Sequence, residues 1–309
     1  MNNTMKQSFQ IWLDAARPKT LPLALVSILT GSVLAYSIGH FSLAISVLAF
    51  VTATLLQILS NLANDYGDAV KGTDNDERLG PVRAIQSGAV SLKTMKQAMV
   101  INIALTMASG LCLVFYALDS VQSIIAFIGL GVLAIVAAIA YTVGNKPYGY
   151  VGLGDISVFI FFGLLGVAGT FFLHTGYVDS ALVLPAMGCG LFAVAVLNVN
   201  NMRDIENDQA CGKKTVAVRL GQLKSKQYHT LLLVSALVMF ASYLLLQPAP
   251  LWLTLPFLFS LVIVFKHGQA VWKATQPAQI APMMPIVVKC ALLTNLLFTG
   301  IVIAQTLIS

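Results

Sequence analysis

Two clusters of carboxylates and carboxamides dominate the chemistry available to this chain: Asn61-Leu-Ala-Asn64-Asp65-Tyr-Gly-Asp68 and Asn200-Asn201-Met-Arg203-Asp204-Ile-Glu-Asn-Asp208. Residues three and four apart share a helix face, so Asn61, Asn64, Asp65 and Asp68 project together, and so do Asn200, Asn201, Asp204 and Asp208. Each stripe is a row of hard oxygen donors. Mg²⁺ prefers such donors and is usually held by one or two carboxylates plus substrate phosphates. Two stripes therefore suit two Mg²⁺ ions bridged by a diphosphate, with Mn²⁺ as a substitute. Asn64, Asp65, Asp68, Asp204 and Asp208 are the candidate metal ligands, and the four aspartates are the candidate catalytic residues.

Both clusters close long apolar runs, where carboxylates are costly: roughly 2.5 to 3.5 kcal/mol each at the centre of a membrane helix on insertion scales. They also stand at the negative end of the helix macrodipole, which makes clustered aspartate unfavourable without a cation. Cations follow each cluster. The first loop carries Lys71, Arg78 and Arg83, and the second carries Gly212-Lys213-Lys214-Thr215 and Arg219. Ammonium and guanidinium groups beside an oxygen-rich metal site are what a departing diphosphate needs. Asn61, Asn200, Asn201 and Arg203 join them as candidate substrate contacts, as do Arg17 and Lys19 ahead of the first apolar run. Tyr141, Lys146 and Tyr148 either touch substrate at a cavity mouth or anchor the interface. Asp155 is a helix cap or a substrate contact, and Gly163, Gly166 and Gly169 read as close helix packing.

Competing chemistries find little support. Gly212-Lys213-Lys214-Thr215 superficially resembles a P-loop but lacks the upstream glycine, the Lys-Ser/Thr spacing and a preceding strand. Asp74-Asn-Asp76 lacks the central Gly and terminal Glu of an EF-hand loop. His40, His174, His229 and His267 have no zinc spacing. Cys112, Cys189, Cys211 and Cys290 form no CxxC pair and read as small core residues.

The elements that must position these groups are membrane helices. The chain has 309 residues, 58% of them hydrophobic and only 10% charged, whereas soluble domains carry about 25% charged residues. A single all-α bundle over residues 1–309 is the simplest organisation. Apolar runs predict nine spans, at about 20–38, 43–66, 96–117, 121–142, 153–173, 182–202, 228–246, 250–266 and 285–307. All 18 Lys and Arg residues fall on one side of this arrangement. By the positive-inside rule that side, with the N-terminus, is cytoplasmic, and the C-terminus lies outside. The +6 net charge thus reports topology, and nucleic acid is not an expected partner. No cleaved signal peptide is read at the start. The long polar connections at about 67–95 and 203–227 lie four spans apart, which suggests a degenerate four-helix repeat with a ninth helix appended and a shared site at the repeat interface.

At these residues the chain resembles the UbiA superfamily of intramembrane prenyltransferases over nearly its whole length. Asn64-Asp65-Tyr66-Gly67-Asp68 is similar to the NDxxD motif of that family and Asp204-Ile-Glu-Asn-Asp208 to its DxxxD motif. Arg17-Pro18-Lys19-Thr20-Leu21, Lys71-Gly-Thr-Asp74 and the stretch from Asn200 to Gly221 resemble the branch acting on 1,4-dihydroxy-2-naphthoate. Gly72 stands where the commonest family form has a further Asp. The resemblance implies transfer of a polyprenyl chain, octaprenyl by expectation, from polyprenyl diphosphate to that acceptor with loss of CO₂, giving demethylmenaquinone. It implies a multi-pass protein of the bacterial inner membrane with its active site toward the cytoplasm, in contact with membrane lipid. The rivals are another aromatic acceptor, such as 4-hydroxybenzoate or homogentisate, and a cation-coupled transporter. Prenyl length and oligomeric state are not legible, because apolar helix faces all look alike.

Overall fold

The computed structural model describes residues 3–75 and 79–308. Among them there is no strand. Helix α1 (Asn3–Ala16) leads into α2 (Leu21–Ser37), α3 (Leu43–Lys71), α4 (Leu92–Ala117), α5 (Val121–Ala140), α6 (Gly154–Thr175), α7 (Ser180–Arg203), the short α8 (Ile205–Ala210), α9 (Val216–Leu246), α10 (Leu251–Lys273) and α11 (Pro277–Ile308). Eight of these are each long and apolar enough to cross a membrane. Helix α2 and the end of α1, bent from each other by 57°, make a ninth candidate crossing when taken together as one span. All nine expected spans are thus present as helices.

The bend falls on Arg17, which has φ 54°, a left-handed conformation that is uncommon outside glycine. Helix α1 is held below it: Ile11 and Trp12 pack on a cluster containing Leu59, Leu62 and Met95, and Asn61 donates to the Ala16 carbonyl at 2.9 Å. The entry segment is therefore fastened to α3 next to the first acidic cluster.

Helix α7 is central, with 61% of its most apolar stretch buried, whereas no part of the corresponding stretch of α5 is. Phe192, Phe240 and Phe298 join α7, α9 and α11, with ring centroids 6.3 and 4.8 Å apart. Small residues let neighbouring backbones approach, as is usual where lipid leaves no hydrophobic drive between helices. A Cβ at Gly163 would lie 2.6 Å from the Ala186 carbonyl, and one at Gly166 would lie 2.8 Å from Ser27. Two of the three glycines of α6 thus match the packing expectation. Gly169 has open space around it.

Helix α6 also departs from simple α geometry, being π-wound over Phe159–Gly169. Such wider turns are rare and gather at functional sites. Ser27 donates to the Phe162 carbonyl inside this stretch, which links α2 to a backbone group of the widened turns.

Candidate functional site

Helix α3 carries the first cluster as one continuous element. It runs through Asp68 to Lys71 and ends on Gly72, whose φ of 72° makes the left-handed cap. The second cluster is different. Helix α7 ends at Arg203, and a new helix begins at Ile205 after a non-helical Asp204 with φ −104° and ψ 16°. The expected single stripe through Asn200, Asn201, Asp204 and Asp208 is therefore broken, and Asp208 rides on the short α8. The break lets the buried Arg203 turn onto its own neighbour: its Nε donates to Asp204 Oδ1 at 2.9 Å, its Nη2 contacts Asp204 Oδ2, and Nη2 also donates to Asn200 at 3.0 Å. A buried guanidinium beside a buried carboxylate offsets the desolvation of both.

Asp65 is 1% exposed and pairs with Arg17 through Oδ1, while Arg83 Nε lies 3.5 Å from the same oxygen. Asp208 lies 3.5 Å from Lys213 Nζ. Asp68 accepts from Tyr150 at 2.7 Å, and Tyr150 shares its hydroxyl with Thr73 at 2.6 Å. Burial first, and then the Asp68 charge, raise the Tyr150 phenol above its ordinary value, so it stays a donor. Tyr150 was not among the residues singled out from sequence, where an aromatic in a Pro- and Gly-rich loop looks like an interfacial anchor. It links the clusters: its carbonyl accepts the Lys214 N–H at 2.8 Å, and Lys213 Nζ sits 5.2 Å from its ring centroid. Asn207 adds a second link by donating to the Thr73 carbonyl at 3.0 Å.

Beneath the first cluster lies a cavity of about 260 Å³. Its polar end is lined by Arg17, Asn61, Asn64, Tyr141, Tyr148 and Asn200, and its apolar end by Ile28, Ala53, Leu56, Phe161 and Gly166. Those last five residues also border a second cavity of about 260 Å³, which continues between α4 and α5. A larger groove of about 790 Å³ between α9 and α10 contains no carboxylate and lies away from both clusters.

The remaining candidates divide. Tyr141 and Tyr148 stand edge to face at 5.3 Å, and Tyr148 donates to Ala137 at 2.8 Å. Lys71 reaches within 5.8 Å of the Tyr150 ring. Asn201 is buried but does not line the cavity. Lys19, Lys146 and Lys214 are exposed, and none lines the cavity. Arg78 lies outside the described residues. Asp155 caps nothing, since the cap position of its helix is Leu153, and it accepts from Tyr228 at 3.0 Å instead.

The donor set fits a hard divalent cation. Asn64 Oδ1 and Asp65 Oδ2 are buried oxygens without a hydrogen-bond partner, and leaving such groups unsatisfied costs about 1 to 3 kcal/mol or more each. Among the described residues no three His, Cys, Asp or Glu side chains form a ready cage. That is the usual situation for Mg²⁺, which completes its shell with water and substrate phosphate.

Asp208 makes this pH dependent. Burial, outweighing Lys213, pushes its carboxyl up to about 6. As a cation ligand Asp208 would have to lose its proton first, and divalent affinity would then fall as pH drops through about 6. Calorimetric Mn²⁺ titration is expected to give roughly fourfold weaker binding at pH 5.5 than at pH 7.5. Equal affinities would remove Asp208 from the cation site. For folding the sign is opposite: the raised value favours the folded chain while Asp208 is protonated, and that contribution is lost as pH rises through about 6.

A helical membrane bundle with a polar pocket at one end opening into an apolar interior defines a class of intramembrane proteins, and one family within it matches this chain. The chain belongs to the UbiA prenyltransferase family, whose model matches residues 24–295. Among curated relatives, the 1,4-dihydroxy-2-naphthoate octaprenyltransferase of Escherichia coli (strain K12) is 49% identical over 297 residues, 96% of each chain. The protein of the same name from Haemophilus influenzae is 47% identical over 96% of each chain. The fold is shared with a UbiA homolog from Archaeoglobus fulgidus solved with DMAPP and Mg²⁺, with TM-score 0.63, 16% identity, and coverage of 94% of this chain and 99% of that one.

Proposed function

We propose that this chain transfers an octaprenyl group from octaprenyl diphosphate to 1,4-dihydroxy-2-naphthoate, releasing diphosphate and CO₂ and giving the hydroquinone demethylmenaquinol. The allylic C–O bond to diphosphate breaks, a C–C bond to the ring forms, and the ring carboxylate leaves. The observation that carries the reading is near-half identity along the full length of relatives bearing that name, together with two acidic motifs linked through Tyr150 and Asn207 and contributing Asn61, Asn64 and Asn200 to one cavity. The whole chain acts as one domain in a bacterial inner membrane, with its acidic end toward the cytoplasm.

Asn64, Asp65 and Asp68 on one side and Asp204 and Asp208 on the other hold divalent cations, two Mg²⁺ by preference, with Mn²⁺ able to substitute. The bound cation neutralises the departing diphosphate. Lys71, Arg83 and Lys213 add positive charge around that leaving group. The apolar cavity keeps water from the electron-deficient prenyl carbon and directs the tail toward lipid. Arg17, with Nη2 on Asp65 and an Nε that is buried without a partner, holds the acceptor carboxylate beside the first motif.

Purified protein given octaprenyl diphosphate with dihydroxynaphthoate, 4-hydroxybenzoate or homogentisate tests the acceptor. The expected product is the decarboxylated naphthoate adduct alone, lost on exhaustive chelation. Preferred prenylation of 4-hydroxybenzoate would overturn the reading. In Arg17→Ala, KM for dihydroxynaphthoate is expected to rise by about tenfold and KM for the prenyl diphosphate much less. Unchanged constants would leave Arg17 a topological and Asp65-pairing residue only.

A further inference from the structure

We infer that Tyr150 is a positioning residue that ties the two aspartate motifs into one cation site, setting both the orientation of Asp68 and the place of the lysines above it. The inference rests on the two-motif reading given above and deepens it. Tyr150 stands in a tight turn between α5 and α6, far in sequence from either motif, yet it touches both. Its hydroxyl donates to Asp68 at 2.7 Å and lies 2.6 Å from Thr73 Oγ1. Its carbonyl accepts the Lys214 N–H at 2.8 Å. Its ring lies under Lys213 Nζ at 5.2 Å and Lys71 Nζ at 5.8 Å, within cation–π range.

The turn is itself braced. Arg219 donates from Nη2 to the Val151 carbonyl at 2.6 Å and from Nε to the Lys214 carbonyl at 3.3 Å. Gly152 has φ 83°, and a Cβ there would lie 2.9 Å from the Lys214 carbonyl, so the α5–α6 turn and the second motif loop are pressed together. Tyr150 is thus fixed by the second loop at its backbone and fixes the first motif with its side chain. A hydrogen bond that aims a ligating carboxylate is worth about 10- to 100-fold in metal affinity. The ring adds a different function. A π-face attracts an ammonium, so the ring helps to hold Lys71 and Lys213 on the side of the turn where Asp68 and Asp208 stand.

The two functions separate by substitution. Tyr150→Phe keeps the ring and loses the hydroxyl; Tyr150→Leu loses both. Mn²⁺ binding to the detergent-purified chain without substrates, read by electron paramagnetic resonance, is the direct measurement, with prenyl diphosphate KM as the second. Tyr150→Phe is expected to weaken Mn²⁺ by about tenfold while changing the prenyl diphosphate KM less than about threefold at saturating metal. Tyr150→Leu is expected to weaken both. Thr73→Val, which leaves the phenol in place but removes one of its two side-chain partners, is expected to shift Mn²⁺ affinity in the same direction and serves if the Tyr150 variants do not fold. Asp68→Asn is the control for the underlying site. If it binds Mn²⁺ like the wild type, the two-motif reading itself fails. If it loses Mn²⁺ while Tyr150→Phe and Thr73→Val bind normally, only the role of Tyr150 is overturned. A lowered melting temperature in Tyr150→Phe with unchanged Mn²⁺ affinity would make Tyr150 a structural pin and would equally overturn it.

Discussion

Replacing Asp68 with Asn is expected to reduce turnover on the order of 10³-fold while leaving the protein folded, inserted and at least as thermally stable. The reason lies in how the acids are compensated. Asp65 faces Arg17 and Arg83, Asp204 faces Arg203, and Asp208 faces Lys213. Asp68 is 8% exposed and accepts from the neutral Tyr150 hydroxyl, with no ion pair among the described residues. A buried carboxylate without an ion pair is costly to the empty fold, as a residue kept for ligand binding would be. Asn keeps the shape and can still accept from Tyr150, so the variant removes charge with little loss of packing. Steady-state rates with circular dichroism melting decide the matter. A rate within a few-fold of wild type would place the reaction elsewhere, and a collapse in melting temperature would make Asp68 a structural residue.

The second large effect is expected at Ala53, on α3 at the wall shared by the two cavities. Two cavities of about 260 Å³ each hold only the first isoprene units of an octaprenyl chain, and the rest must run out between α4 and α5. Met107, Leu111 and Val132 line that exit and are themselves exposed. Ala53→Trp fills the shared wall. Catalytic efficiency with octaprenyl diphosphate is expected to fall by about 10²-fold, because a displaced tail misplaces the reacting carbon, while geranyl diphosphate remains within about threefold of wild type. Equal losses with both donors would mean the tail does not take this route. Equal retention would mean the same.

Much of this was open to sequence reasoning, and the parts that were not share a cause. Hydropathy locates spans because lipid demands about 20 apolar residues with an internally bonded backbone, and all nine expected segments are helical. The Asn61, Asn64, Asp65 and Asp68 stripe is legible because helix periodicity is local. The break at Asp204 is not, since the stretch Asn201-Met-Arg203-Asp204-Ile carries neither Gly nor Pro to mark it. Tyr150 is invisible as well: its partners Asp68 and Lys213 are distant in sequence, and no local pattern reports them. Arg17 reads as a free carboxylate-binding fork, yet the structure brings it onto Asp65 across 48 residues. The π-wound turns of α6 leave no compositional trace, because their residues are uniformly apolar. Lys19 and Lys146, singled out for their charge, are exposed and do not line the cavity.

In the proposed reaction both acidic motifs act on one diphosphate. Structure determination of the purified chain with Mg²⁺ and a non-reactive prenyl thiodiphosphate tests it most directly. Metal and diphosphate density is expected between Asp65 and Asp68 on α3 and Asp204 and Asp208 at the α7–α8 junction, with the prenyl tail descending past Ala53 and Phe161. Diphosphate density on one motif alone, or a prenyl tail lodged in the groove between α9 and α10, would contradict it.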